Sequence, residues 1–242
     1  MILFITKGSG KHFVDFEAYP YKPGTLFFIS KYQIHYFDVL PENDGYMILF
    51  TEDFLYKTEA EIEKLQRSRV FDYRLYSPQT VLKGQNRVDF ESVFEALTME
   101  YQRENDSAKE EILRSFLRIL ILKSERLKKD ERPRDTVSAD LRLFMKLVDE
   151  NYTTCHHVIE YADRIGKSPK TISKITLEAF DQTPKQYIDS RIILEAKRLL
   201  THTPTSVKEL AYQLGFSEPT NFVKFFKSRV HLSPKQFRTS HQ

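Results

Sequence analysis

Two stretches in the C-terminal half repeat one another and carry matching polar side chains. Residues 158–187 align with 207–237: Val158, Ala162, Gly166 and Ser168 match Val207, Ala211, Gly215 and Ser217. Beyond one inserted residue, Ile172, Lys174, Ile175, Pro184, Gln186 and Tyr187 match Phe222, Lys224, Phe225, Pro234, Gln236 and Phe237. If a helix follows the serine in each copy, its outward face carries Lys170, Thr171, Ser173 and Lys174 in the first, and Thr220, Asn221, Val223 and Lys224 in the second. Lysine donates to guanine O6 and N7, asparagine pairs with adenine, and threonine or valine meets a thymine methyl, so both faces suit base edges in a major groove. The surrounding cations Lys167, Lys185, Lys227, Arg229, Lys235 and Arg238 fit contacts to phosphate, which position without specifying. Any one of these residues is equally well a solvated surface group. The equivalence of Lys174 and Lys224 favours a shared task.

Other chemistries find little support. Cys155 is the single cysteine, which excludes an intrachain disulfide and the common cysteine-zinc motifs. It has no acid–base partner nearby in sequence, so a nucleophile is not expected. His156-His157 has no third metal ligand nearby and reads as a surface pair at a helix start, and His35 as a packed or edge-strand histidine. Glu59, Glu61 and Glu63 form a solvated acidic run. Phosphate-loop, dinucleotide-binding and G-x-S-x-G patterns are absent. No catalytic residue, metal or cofactor is therefore assigned.

Helices with caps must position the two faces. In each copy a first helix, about 158–165 or 207–214, has a small alanine at its middle, where a second helix can cross closely. Glycine follows at its end, where positive φ is wanted, and serine then caps the next helix. This is the helix-turn-helix pattern. The second helix is expected to bury Ile172, Ile175 and Ala179, or Phe222, Phe225 and Phe226. Ser206/Glu209, Thr183/Gln186 and Ser233/Gln236 have capping-box spacing, the latter two with proline at the first helical position. Between the copies, 184–200 reads as one helix of ~25 Å. Such a spacer suits two recognition helices entering successive major grooves about one turn, ~34 Å, apart.

The N-terminal half differs. Runs at 12–17, 25–29, 34–39 and 46–50, separated by glycine- and proline-containing turns, read as short antiparallel strands. With the opening run 2–5 they make five or six, fewer than the about eight of a closed barrel. The sheet is therefore expected to be open, completed by a partner chain, or shortened at its start. From 88 the period becomes helical. Val88, Phe90, Phe94, Leu97 and Tyr101 share a face of one helix (88–104), and 108–128 forms another with apolar residues on more than one side. The excess suggests that one face packs on the sheet and another meets a second copy of the chain. Residues 128–135 are charged apart from one proline and read as a linker. The expected organisation is α+β: 1–128, a sensor or dimerisation domain; 129–138, a linker; 139–242, an all-α domain.

Hydrophobic residues make up 40% and charged residues 29% of the 242 residues, which excludes wholesale disorder. The net charge of +3 divides unevenly, −2 over 1–130 and +5 over 131–242, and a basic half favours an acidic partner. No apolar run reaches the ~18 residues of a membrane span. The start is too short and lacks the basic residues of a signal sequence. A soluble protein of the cytoplasm is expected.

The C-terminal stretch resembles the DNA-binding domain of the AraC/XylS family of transcription regulators. The resemblance rests on Leu210-Ala211-Tyr212-Gln213-Leu214-Gly215-Phe216-Ser217, on 221–227, on Ser233-Pro234-Lys235-Gln236-Phe237-Arg238, and on 191–200 as the linking helix. Residues 10–16, 23–29 and 33–35 are more loosely similar to the family's cupin-like sensor domains. Asp181 and His231 stand where the family usually has glycine, Thr176 where it usually has an aromatic, and the clustered His and Glu of a cupin metal site are missing. The resemblance implies a sequence-specific regulator of double-stranded DNA, a homodimer, a small-molecule effector and contact with RNA polymerase. The alternative is a cupin-type small-molecule binder or enzyme with a helical interaction tail. Thr176 in place of an aromatic predicts that the first recognition helix is held less firmly than the second.

Overall fold

The continuous apolar run at the start is explained by a strand buried on both faces. In the computed structural model, which describes residues 1–31, 33–38, 42–55, 68–128 and 138–241, β1 (Ile2–Lys7) lies between β4 (Thr25–Phe28) and β6 (Asp44–Ile48), antiparallel to both. With β7 (Gln79–Val81) they form a sheet of order β6-β1-β4-β7. Because side chains alternate along a strand, Ile2 and Phe4 enter one apolar cluster while Leu3 and Ile5 enter another. The first cluster packs the sheet on α2 (Gly84–Gln102) and α3 (Lys109–Lys128) through Phe90, Phe94, Leu117, Leu120 and Ile121. The short α1 (Glu52–Leu55) adds Leu55.

The second sheet has the order β3-β2-β5, from β2 (Gly10–Val14), β3 (Glu17–Tyr21) and β5 (His35–Phe37). The expected strand over 12–17 is in fact a hairpin. Asp15 and Phe16 have φ of 51° and 71°, the positive values of a two-residue hairpin turn. The Asp15 carboxylate accepts from Ile34 N at 3.2 Å and Gln33 Nε2 at 2.8 Å. β3 was missed because it carries Pro20, which a strand tolerates at the edge of a sheet, where β3 lies. Seven strands are thus found among the described residues, against five or six expected. On α2, Val88 and Tyr101 are exposed rather than part of the core face.

The chain divides into two units, Met1–Pro133 and Arg134–Gln242. Of the expected linker, all but Ser138 lies outside the described residues, as does the Glu59, Glu61 and Glu63 run. Ser138 is the N-cap of the next helix, its side chain accepting from Leu141 N.

The described residues of the second unit form helices joined by short turns: α4 (Ala139–Asn151), α5 (Val158–Ile165), α6 (Pro169–Phe180), α7 (Pro184–His202), α8 (Val207–Gln213), α9 (Pro219–Val230) and α10 (Pro234–Ser240). All three expected capping boxes, at Thr183, Ser206 and Ser233, are formed. Asp181 and His231 adopt the left-handed conformation at φ 52° and 62° and end α6 and α9 without glycine. Aspartate and histidine pay little for that conformation. The 19 residues of α7 span about 28 Å.

Candidate nucleic-acid interface

The two turns are built by the same hydrogen bonds. Lys167 N donates to Ala162 O at 3.0 Å, and Phe216 N to Ala211 O at 2.9 Å. Each bond spans a glycine of positive φ, Gly166 at 70° and Gly215 at 84°. Both alanines are fully buried, which permits the close helix crossing. Space around the glycines differs. A Cβ on Gly166 would meet nothing within 4 Å, whereas one on Gly215 would lie 1.9 Å from Thr153 O.

The recognition helices start differently. Ser168 caps α6, accepting from Thr171 N at 3.1 Å, with Pro169 at the first position. In the second unit the expected cap, Ser217, is displaced. The inserted residue moves the start one place on, so Glu218 is the N-cap and makes no side-chain capping bond.

Each recognition helix buries a narrower stripe than expected. Ile172, Thr176 and Ala179 are buried on α6, and Phe222 and Phe226 on α9, while Ile175 and Phe225 are only half-buried. Thr176 is fully buried and its hydroxyl donates to Ile172 O at 3.0 Å, a bond within its own helix that satisfies the polar group. Aromatic packing in this unit comes mainly from neighbouring elements: Phe144 of α4 lies 5.8 Å from the Tyr161 ring and 5.6 Å from Tyr187, which stacks at 5.2 Å on Phe180, the last residue of α6.

Lys170, Lys174, Thr220, Asn221 and Lys224 are exposed, and Thr171, Ser173 and Val223 are half-exposed on the same faces. Lys174 Nζ lies 3.8 Å from Glu178 one turn on. At the position equivalent to Glu178, α9 has Ser228, and Lys227 and Arg229 flank it. The outward face of α9 is therefore the more positive.

The flanking cations fall into four groups. Lys227 and Lys235 are exposed. Lys167 pairs with Asp140 at 3.0 Å. Lys185 and Arg229, 44 residues apart, are brought together at Asp189, at 2.8 Å and 2.7 Å. Arg238 donates to Leu200 O at 3.0 Å and to Thr205 O at 2.5 Å, tying α10 to the end of α7.

His156 was misread as a surface residue. It is half-buried, and its Nε2 lies 3.1 Å from Leu214 O across 58 residues. Burial and nearby Lys185 hold its pKa below the usual value. No local sequence signal marks such a contact. His157 is exposed and stands as the N-cap of α5 without a side-chain bond. Burial pushes the Cys155 thiol up, away from a nucleophile's range. His35 is exposed, with its ring 5.4 Å from that of His12. His12 itself escaped sequence reasoning. It is fully buried, neither ring nitrogen has a hydrogen-bond partner, and burial lowers its pKa to about 4. Among the described residues no group of three or more His, Cys, Asp or Glu forms a metal site, and no helix is long and apolar enough to cross a membrane.

Comparison with known proteins accounts for both units. Residues 1–117 match the AraC-like ligand binding domain, and residues 161–240 match the Helix-turn-helix domain. The HTH-type transcriptional activator RhaS of Escherichia coli (strain K12 / DH10B) is 22% identical over 242 residues, covering 98% of this chain and 84% of RhaS. This chain belongs to the AraC family of transcription regulators. It is a DNA-binding regulator rather than an enzyme, so the cupin-type enzyme alternative falls. Among solved structures, apo ToxT from Vibrio cholerae is 15% identical with a TM-score of 0.51, covering 100% of this chain and 89% of ToxT, a likeness of fold. The C-terminal domain of the two-component response regulator yesN from Fusobacterium nucleatum is 25% identical, with a TM-score of 0.40, covering 42% of this chain and 99% of that domain.

Proposed function

We propose that this AraC-family regulator reads double-stranded DNA with both helix-turn-helix units at once, α6 and α9 entering successive major grooves. The observation that carries this reading is the repetition itself: the same glycine turn occurs twice, each followed by a polar, lysine-bearing helix face, with the 19-residue α7 between. Lys170, Thr171, Ser173 and Lys174 face one set of base edges, and Thr220, Asn221, Val223 and Lys224 the other. Lys167, Lys185, Lys227, Arg229, Lys235 and Arg238 approach phosphates. Arg238 contributes least, because its guanidinium already holds two backbone carbonyls.

The N-terminal unit supplies control. A small effector binds to this unit, where Leu3, Ile5, Val14, Tyr21, Phe27 and Ile29 form an apolar cluster and the buried His12 has no hydrogen-bond partner on either ring nitrogen. Two copies associate through α3, on which Ile112, Ile119 and Leu122 are exposed although apolar. Their spacing of seven and three puts them on one helical stripe. The dimer acts in the cytoplasm and engages RNA polymerase.

Footprinting of the full chain on a duplex selected from a random library tests the reading. Two protected major-groove patches about one turn apart are expected. A single patch, or protection without sequence preference, overturns it. Sedimentation of the full chain as a strict monomer at micromolar concentration overturns the dimer.

A further inference from the structure

The long helix α7 is not the only connection between the two DNA-reading units. Three contacts bridge the start of α7, and the loop before α5, to the second unit. His156 Nε2 meets Leu214 O at 3.1 Å, and its ring lies 5.3 Å from Phe216. Gly215 sits against Thr153 O so closely that no side chain fits between them. Asp189 on α7, only 2% exposed, receives Arg229 from α9 at 2.7 Å and Lys185 from its own helix at 2.8 Å. Lys185 Nζ also donates to His156 O at 3.1 Å, which joins the histidine to the carboxylate.

These contacts form one continuous seam of polar groups. Beside it the molecule is open: a cleft of about 600 Å³ is lined by Gln182, Gln186, Asp189, Ser190, Ile193 and Arg229. Apolar packing does not fill that gap, so the polar ties must carry the relative orientation of the units there. The Asp189 carboxylate is buried while both of its cations are about half exposed, and a misplaced cation would leave that buried charge uncompensated.

We infer that His156 and Asp189 are positioning residues that fix the separation and rotation of α6 relative to α9, and thereby set the spacing of the two half-sites that the protein accepts. The inference rests on the reading that both units bind DNA. Neither residue lies on a recognition face. They act through the turn at Leu214–Phe216 and through Arg229 near the end of α9.

The test uses the full chain, its Asp189→Asn and His156→Ala variants, and a 25-base-pair duplex selected from a random library by the wild-type chain. Two base pairs are then inserted between the half-sites, which rotates one past the other by about a fifth of a turn. The wild type is expected to lose at least about tenfold in affinity on insertion, comparable to one mismatched base pair. Both variants are expected to lose less than about threefold on insertion and to bind the original duplex more weakly than wild type. Binding of the variants to a duplex holding only the half-site under α9 should be no weaker than wild type. Removing the Asp189 charge should, by charge alone, strengthen non-specific binding, so weaker binding confined to the paired site marks lost positioning. A variant that misfolds instead loses affinity on every duplex and part of its helical circular dichroism, and that result in both variants overturns a positioning role. An insertion penalty unchanged from wild type also overturns the seam while leaving two-unit reading intact. Failure of the wild type to select any two-part site overturns two-unit reading itself.

Discussion

The two helix-turn-helix units share a backbone plan but are held by different means. In the first, most of the aromatic packing belongs to the scaffold: Phe144 lies against Tyr161 and Tyr187, while the recognition helix contributes Ile172, a fully buried Thr176 and, at its last residue, Phe180 stacked on Tyr187. In the second, the aromatics belong to the recognition helix: Phe222 and Phe226 are fully buried, 5.9 Å apart, with Phe226 against Phe237 at 5.6 Å. The same fold is thus stabilised mainly from outside the reading helix in one copy and mainly from within it in the other. The Thr176 site is closed and hydrogen-bonded, so an aromatic missing from a helix does not by itself mean a loose helix. What remains unequal is the outward face, where Glu178 partly offsets Lys174 while the position equivalent to Glu178 beside Lys224 is the neutral Ser228.

The largest expected difference is in stability. Phe226→Ala removes a fully buried ring and should cost about 3–5 kcal/mol. Thr176→Ala, at the equivalent place, removes a hydroxyl bonded within its own helix and should cost about 1 kcal/mol. Urea unfolding of the full chain, followed by helical signal, measures both, and equal costs would break the contrast in anchoring. The turn glycines give the next effect. Gly215→Ala forces a shift against the Thr153 carbonyl and should cost about 2–4 kcal/mol, whereas Gly166→Ala bears only the left-handed backbone cost of about 1–2 kcal/mol. Thermal unfolding of the pair would show the ranking, and a reversed order would contradict the packing at Gly215.

Binding should divide in the same direction. Lys224→Ala is expected to cost about 1–3 kcal/mol on a selected duplex and to relax preference at one base pair. Lys174→Ala should cost less, nearer 1 kcal/mol, because Glu178 one turn on already offsets its charge. Titrations of both variants on the selected duplex compare the two, and identical costs would remove the asymmetry of the faces. The smallest effect concerns the caps. Ser168→Ala should cost about 1 kcal/mol, while Ser217→Ala should cost almost nothing because Ser217 is not a cap. A substantial loss in Ser217→Ala would show the second helix starting earlier than described.

The C-terminal unit was legible because its rules are local. Capping boxes, Pro at first helical positions and glycines at fixed offsets set boundaries over a few residues, and the repeat let each copy check the other. Even there, the single residue inserted before Pro219 displaced the cap from Ser217 to Glu218, which similarity to the first copy concealed. The N-terminal unit was less legible because its pairings are distant. Asp15 and Phe16 read as strand residues by alternation, and only the positive φ of both shows a turn. β7 carries three residues whose strand state is set by pairing with β4. His12 and His156 were overlooked or misread for the same reason: one is enclosed by residues from other strands, the other by a carbonyl 58 residues away.

The central claim is that both recognition helices read DNA and that α9 reads it more sharply. A base-by-base scan of a selected operator with the full chain tests it most directly, each base pair substituted in turn and the affinity measured. The account predicts two sensitive segments about one turn apart, with penalties of about 1–3 kcal/mol per position under α9 and smaller ones under α6. A single sensitive segment, or larger penalties under α6 than under α9, would contradict it.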